Sequence, residues 1–322
     1  MFRTELRIAK SPIQLDHNSG IITIGSCFSN VIGKKLEYLK FNVSINPFGI
    51  IYNPVSIFSI LEKSIENTQP PDESFLERDG IWYNFDLHSE ISGTSKDEVL
   101  KTYNQRSQTL RKELSDADIL TITLGTSFIY KRKANMLPVA NCHKIPATEF
   151  VKHLLAPEEI IQAFRQSYEL IKKLNPGIKI IFTLSPVRHI KDSIPLNSVS
   201  KSILRYAIHK ITETFSACEY FPSYELMIDD LRDYRFYGKD MIHPSEVAEE
   251  YIWEKFSESY FPEETRKINK EWKKTLKAIH HKPFHPSSEN HHRFVKETIE
   301  KVKGFEKIFN VEKELQILQS KL

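Results

Sequence analysis

Short runs rich in Ile, Val and Leu alternate along most of this chain with longer segments of helical periodicity, and that alternation constrains the fold more than any other feature. The runs occupy residues 21–24, 41–45, 119–124, 178–184 and 219–221. They are continuous apolar stretches without in–out alternation, the pattern of parallel strands covered on both faces. Helical patterns fill 29–39, 54–66, 96–114, 157–174, 197–215 and 248–259. Local punctuation agrees: Pro157 with Glu158 and Glu159 opens one helix, and Asn175-Pro176-Gly177 stops it before the next run. Strand–helix repetition of this kind implies right-handed crossovers and a doubly wound sheet. The expected class is α/β with a mainly parallel five-stranded sheet.

Two regions depart from the pattern. Residues 69–93 hold Pro70-Pro71-Asp72-Glu73, then Trp82, Phe85 and His88 without clear periodicity, and are expected to be an insertion across one end of the sheet. Trp82 and Tyr83 are expected to pack within it. Beyond residue 262 the chain turns to charged helices divided by a loop at 280–292, and residues 295–322 carry apolar positions at helical spacing with alternating charges. The expected organisation is a main domain over 1–262 and a helical C-terminal extension over 263–322, the latter suited to oligomer or partner contact.

Composition narrows the function classes. A net charge of +3 over 322 residues is too small for a nucleic-acid-binding face. The three cysteines, Cys27, Cys142 and Cys218, are an odd number at unrelated spacings, which fits neither a disulfide framework nor a zinc knuckle. The first twenty residues lack an apolar signal core, and no window approaches the roughly 18 apolar residues that span a bilayer. A cytoplasmic location is the expectation. His280, His281, His285, His291 and His292 cluster in a Pro- and Ser-containing loop with no carboxylate or Cys at ligand spacing, so no metal is expected. Without a Gly-rich phosphate motif, no nucleotide cofactor is expected either.

In open parallel sheets, ligands bind beyond the carboxyl ends of the strands. After the first run comes Gly25-Ser26-Cys27-Phe28-Ser29-Asn30, leading straight into a helix. A serine there presents its hydroxyl at the sheet edge beside helix N-terminal N–H groups, which stabilise an oxyanion; helix capping alone would also explain it. Far downstream, Asp240-Met241-Ile242-His243-Pro244 precedes the 248–259 helix. An Asp three residues before a His can reach back to its Nδ1, fix the tautomer and leave Nε2 to accept a serine proton. A cap and a surface histidine would account for that block by itself; the two blocks together are a much rarer combination. Cys27 is expected to point into the core and not to act as the nucleophile.

The early Gly-Ser block and the late DxxH resemble those of the SGNH, or GDSL-like, hydrolases, and the chain more closely resembles the GSCFA family. The segments that carry the resemblance are GSCFSNVIGKKL, NPFGIIYNP, TLGTSFIY, NCHKIP, SPVRH, YFPSYELMIDDLRDYRFYGKDMIHPS and YIWEKF, spread over roughly residues 20–256. Ser29 stands where that family usually has Ala. The resemblance implies a flavodoxin-like three-layer sandwich (the SGNH hydrolase fold) and chemistry on esters. It assigns Ser26 as nucleophile, His243 as base and Asp240 as its orienting acid. Gly49, in Asn46-Pro47-Phe48-Gly49, matches the glycine that gives an oxyanion N–H alongside that of Ser26. The block that normally reads GxND here reads Gly125-Thr126-Ser127-Phe128, so its Asn is missing; Thr126, Ser127 or Asn141 are the candidate replacement donors.

Two further groups fall at the same rim, Asn141-Cys142-His143-Lys144 and Ser185-Pro186-Val187-Arg188-His189. Arg188 can bind a carboxylate or phosphate bidentately, and Ser127, His143 and His189 can orient substrate; the alternative is that these groups tie loops together. Arg232, Asp233 and Arg235 are expected to form a structural ion network. The leading expectation is an esterase acting on an O-acyl group, with O-acetyl carbohydrate as a candidate substrate and no cofactor. An O-acyltransferase using the same triad, and a binding protein on a hydrolase fold, are the alternatives.

Overall fold

The computed structural model describes residues 4–322. In chain order the elements begin β1 (Gly20–Gly25), α1 (Cys27–Tyr38), β2 (Asn42–Ile45), α2 (Pro54–Glu66), β3 (Phe75–Arg78), β4 (Ile81–Asn84) and α3 (Lys96–Asp116). There follow β5 (Ile119–Leu124), β6 (Phe128–Arg132), β7 (Pro138–Val139), β8 (Phe150–Leu154), α4 (Pro157–Leu174), β9 (Lys179–Leu184) and α5 (Ile194–Thr214). The remainder is β10 (Cys218–Phe221), the single turn α6 (Ser223–Glu225), α7 (Glu246–Tyr260), α8 (Glu263–Ile279), α9 (Glu289–Lys303) and α10 (Glu312–Gln319).

The five runs recognised in the sequence form one sheet in the order β10-β9-β5-β1-β2, and every pair in it is parallel. That order is one of the two common doubly wound arrangements. Its three central strands, β1, β5 and β9, are buried on both faces because alternate residues serve two separate cores, whereas the edge strands β2 and β10 are partly exposed. Ile22, Ile24, Leu120, Ile122, Leu124, Ile180, Phe182 and Leu184 pack under α2, α3, α4 and α5. Ile21, Ile119, Ile181 and Phe221 face α1 and α7 on the other side. The continuous apolar runs follow directly from this double burial.

Helix starts differ from the sequence expectation by up to three residues, for identifiable reasons. Helix α1 begins at Cys27 because Ser26 occupies the N-cap position. Helix α5 begins at Ile194 because the Ser193 hydroxyl accepts from Leu196 N–H and Pro195 fits the first turn. Residues 69–93 contain the β3–β4 hairpin, closed by Asp79 (φ 56°) and Gly80 (φ 78°), the left-handed pair that a two-residue hairpin turn demands. A second small sheet, β7-β6-β8, is antiparallel and lies in the stretch between β5 and α4. Sequence patterning did not reveal it.

Helices α8, α9 and α10 share the second core with α1 and α7. Trp272 is fully buried, its ring 5.1 Å from Phe305 and 4.9 Å from Phe309, and its Nε1 donates to Tyr38 O at 3.3 Å. Lys40 pairs with Glu314 of α10 at 2.7 Å. No helix among the described residues is long and apolar enough to cross a membrane. Because α8–α10 and α1 share one apolar core, Trp272→Ala should lower the stability of the whole chain by about 3–5 kcal/mol. Urea unfolding followed by circular dichroism should show a single transition; a separate early transition, with the remainder melting as in wild type, would contradict the shared core.

Candidate active site

The β1–α1 turn is held so tightly that only glycine fits its first position. Gly25 has φ +136°, and a Cβ added there would stand 2.1 Å from Thr123 O on the neighbouring strand. Its N–H donates to Asn46 Oδ1 at 2.8 Å and its carbonyl accepts from Ile51 N–H at 3.0 Å. Asn46 also accepts from the Ser29 hydroxyl at 2.9 Å and donates to Asn30 Oδ1 at 2.6 Å. This network joins the ends of β1 and β2 and fixes where the next residue points.

Ser26 is fully buried, and its Oγ has no hydrogen-bond partner. Although it is the N-cap of α1, its side chain makes no capping bond. An unsatisfied buried hydroxyl costs about 1–3 kcal/mol, so a serine kept in that state at a strand end invites a chemical explanation. Ser26 N–H donates to Thr123 O at 3.0 Å, which extends the strand ladder and engages the donor expected for the oxyanion. The Cys27 and Phe28 N–H groups in the first turn of α1 both favour a thiolate at Cys27, yet burial outweighs them and pushes the half-buried thiol up.

The downstream block folds as its spacing suggests. Asp240 Oδ1 accepts from Ile242 N–H at 2.9 Å and His243 N–H at 3.0 Å, and Oδ2 lies 2.7 Å from His243 Nδ1. These bonds hold the exposed Asp240 carboxyl down to about 2. Both side chains are about half exposed, and the contact to Asp240 uses Nδ1, which leaves Nε2 unoccupied. The loop is joined to the one after β9 by Arg188 N–H donating to Ile242 O at 3.2 Å. The Arg188 guanidinium lies 4.0 Å from the ring centre of Tyr237 and 5.2 Å from that of Tyr234. Ser26 and His243 are therefore not hydrogen-bonded to each other, but the His243 charge is felt at His189, which sits against the end of β5. A methyl group at Gly125 would come within 3.1 Å of His189 Nε2.

The remaining candidates divide. His189 Nε2 is buried and unpartnered, its ring edge-on to Tyr52 at 5.4 Å, and burial with the nearby Lys201 and His243 charges pushes it down to about 3. Asn141 is partly exposed, and its Oδ1 accepts from His143 N–H at 2.8 Å. Gly49 N–H donates to Asn46 O at 2.7 Å and Thr126 N–H to Tyr52 O at 3.2 Å, so neither is free to meet a ligand in this conformation. The Thr126 hydroxyl lies 3.2 Å from Ser200 Oγ, and the buried Ser127 hydroxyl 3.0 Å from the same atom. His143 is buried, with Nδ1 3.0 Å from Ser89 Oγ, Nε2 2.8 Å from Asn84 O and its ring 5.0 Å from Tyr83. It ties the 69–93 segment to the loop after β7. Asp233 and Arg235 form an exposed pair at 2.9 Å. Among the described residues no group of three or more His, Cys, Asp or Glu could hold a metal ion.

One site residue escaped the sequence reading. Lys201 of α5 is completely buried and donates through Nζ to Gly125 O at 2.8 Å and Ser185 O at 2.7 Å, the residues that follow β5 and β9. The available signal was its position on the inner stripe of α5 with Asn197, Ser200, Leu204, Ala207, Ile208 and Ile211.

A doubly wound α/β protein with a carboxylate–imidazole pair and an unpartnered serine at the carboxyl ends of its strands is thus the class that fold and site define. The GSCFA family model matches residues 20–256, so the chain belongs to the GSCFA family. The model described as "GSCFA domain protein, C-terminal domain" matches residues 272–322. No curated protein matches the sequence.

Burial lowers the His143 imidazole from 6.5 to about 4. Folding depresses this pKa, so the unfolded chain binds the proton first, and stability falls as pH drops from 6.5 towards 4. His143→Gln should flatten the pH dependence of unfolding in that window by about 3 kcal/mol. Chemical denaturation at a series of pH values measures it; an unchanged slope would show that His143 is not held neutral.

Proposed function

We propose that the chain is a serine esterase of the SGNH type acting on O-acyl esters, with O-acetyl groups on carbohydrates as the substrate class to test first. The observation that carries this reading is the 2.7 Å Asp240–His243 pair, its Nε2 open, in a loop bonded to the segment after β9. The unpartnered Ser26 hydroxyl follows β1 of the same parallel sheet, at the same carboxyl edge.

Asp240 holds the imidazole with its proton on Nδ1, so Nε2 takes the Ser26 proton as Oγ attacks the acyl carbon. The negative charge that develops on the carbonyl oxygen is met by the Cys27 and Phe28 N–H groups at the start of α1, which bear on the Cys27 sulfur until substrate arrives, because those of Ser26, Gly49 and Thr126 are engaged with backbone carbonyls. Collapse of the tetrahedral adduct breaks the ester C–O bond, and His243 returns the proton to the leaving alcohol. Water, deprotonated by His243, then attacks the acyl-serine and releases the acid. The serine–imidazole bond closes when substrate is bound, as catalytic contacts that are loose in an empty site do. The sealed position of Ser26 also favours a second reading, transfer of the acyl group to a sugar hydroxyl, because a pocket that excludes water protects an acyl-enzyme from hydrolysis.

A fluorophosphonate should label the folded chain on Ser26, located by peptide mapping, and an activated acetyl ester should be turned over. Ser26→Ala and His243→Ala should each lower kcat by about 10⁶-fold. A label on Cys27 would move the nucleophile by one residue. Absence of both label and turnover in wild type would refute catalysis and favour a binding role, and product analysis with an added sugar alcohol separates hydrolysis from transfer.

A further inference from the structure

Lysine is among the residues least often fully buried, and when buried it is normally paired with a carboxylate. Lys201 is fully buried with no such partner among the described residues. Both of its acceptors are backbone carbonyls at strand ends, Gly125 after β5 and Ser185 after β9. The first precedes Thr126, in the block where the GxND asparagine is missing, and the second opens the segment that carries Arg188 and His189. The titratable groups facing the amine are Cys27 of α1, His189 of the loop after β9, and Tyr224 of α6, whose ring centre lies 5.6 Å from Nζ. None of these carries a compensating negative charge when protonated or neutral.

We propose that Lys201 is the positioning residue of this site: its buried ammonium locks the peptide planes at the ends of β5 and β9 and projects an uncompensated positive field onto the N-terminus of α1, where the reaction's anion forms. The missing asparagine donor is thereby replaced from beneath, by charge, in place of a hydrogen bond from the loop above. This rests on the esterase reading for its purpose, but the two carbonyl bonds of the buried amine hold whatever the site does. Burial pushes the amine down to about 7, so the field is titratable near neutrality. Burial raises the Cys27 thiol and Lys201⁺ partly offsets that rise, which makes the residue next to Ser26 a built-in probe of that field.

The experiment compares wild type, Lys201→Met and Lys201→Gln. Iodoacetamide modification of Cys27, quantified by peptide mass spectrometry across pH, reports the field, and turnover of an activated acetyl ester across pH reports its use. In wild type the alkylation curve should carry an inflection near pH 7, where Lys201 loses its proton, and ester turnover should fall above the same pH. In the folded variants the inflection should vanish from both curves and kcat should drop about 10²-fold, the usual effect of losing one stabiliser of an oxyanion. Variants whose Cys27 curve and turnover match wild type overturn the proposal. A wild-type Cys27 curve without the lower inflection overturns it even if neither variant folds. A Cys27 curve that loses its inflection in the variants, with no ester turnover in any protein, supports the field while refuting the esterase reading.

Discussion

The close approach of β1 to β5 at Gly25 is the constraint on which the site depends. With 2.1 Å between a hypothetical Cβ and Thr123 O, the chain has no room for any side chain there, and the positive φ turns it sharply out of the sheet into α1. The bonds from Asn46 and Ile51 to the same residue hold the turn from the β2 side. The orientation of Ser26 and the aim of the first N–H groups of α1 are consequences of that one crossing. A loop could hold the same atoms, but not with a strand on either side to fix them.

Much of the framework was legible in the chain because double burial leaves a plain mark. Strands that pack on both faces carry apolar side chains or buried threonines at almost every position, so 119–124 and 180–184 stand out in the chain. The β6–β8 sheet was not legible for the opposite reason: Phe128–Arg132 and Phe150–Leu154 are short and partly exposed, and their lysine, arginine and histidine residues break the apolar signal. The Asp79-Gly80 turn did carry a hairpin signature, but the flanking four-residue strands are too short to display alternation around it.

For the site, locality decided what could be read. The Asp240–His243 contact spans three residues and depends on one turn of backbone, so spacing alone suggests it. Which way a loop N–H points depends on distant partners, and that is why Gly49 and Thr126 are engaged elsewhere, with Asn46 O and Tyr52 O. His143 and Ser127 were visible as polar residues near strand ends, but only the fold shows the first holding Asn84 and Ser89 and the second holding Ser200. Lys201 was hidden by the ordinary habit of lysine; a charged residue in a helix is assigned to solvent unless the whole stripe around it is read.

The indole of Trp272 touches the last turn of α1, while the chemistry lies at the first. A helix of twelve residues is about 18 Å long, so it behaves as a rigid lever with the strand turn as fulcrum and the C-terminal helices gripping the handle. A tilt of a few degrees about that fulcrum moves the handle by about 1 Å and turns the aim of the first N–H groups through the same few degrees, leaving their positions almost unchanged. The packing of α8–α10 is thus a calibration of the distant amides as well as a source of cohesion.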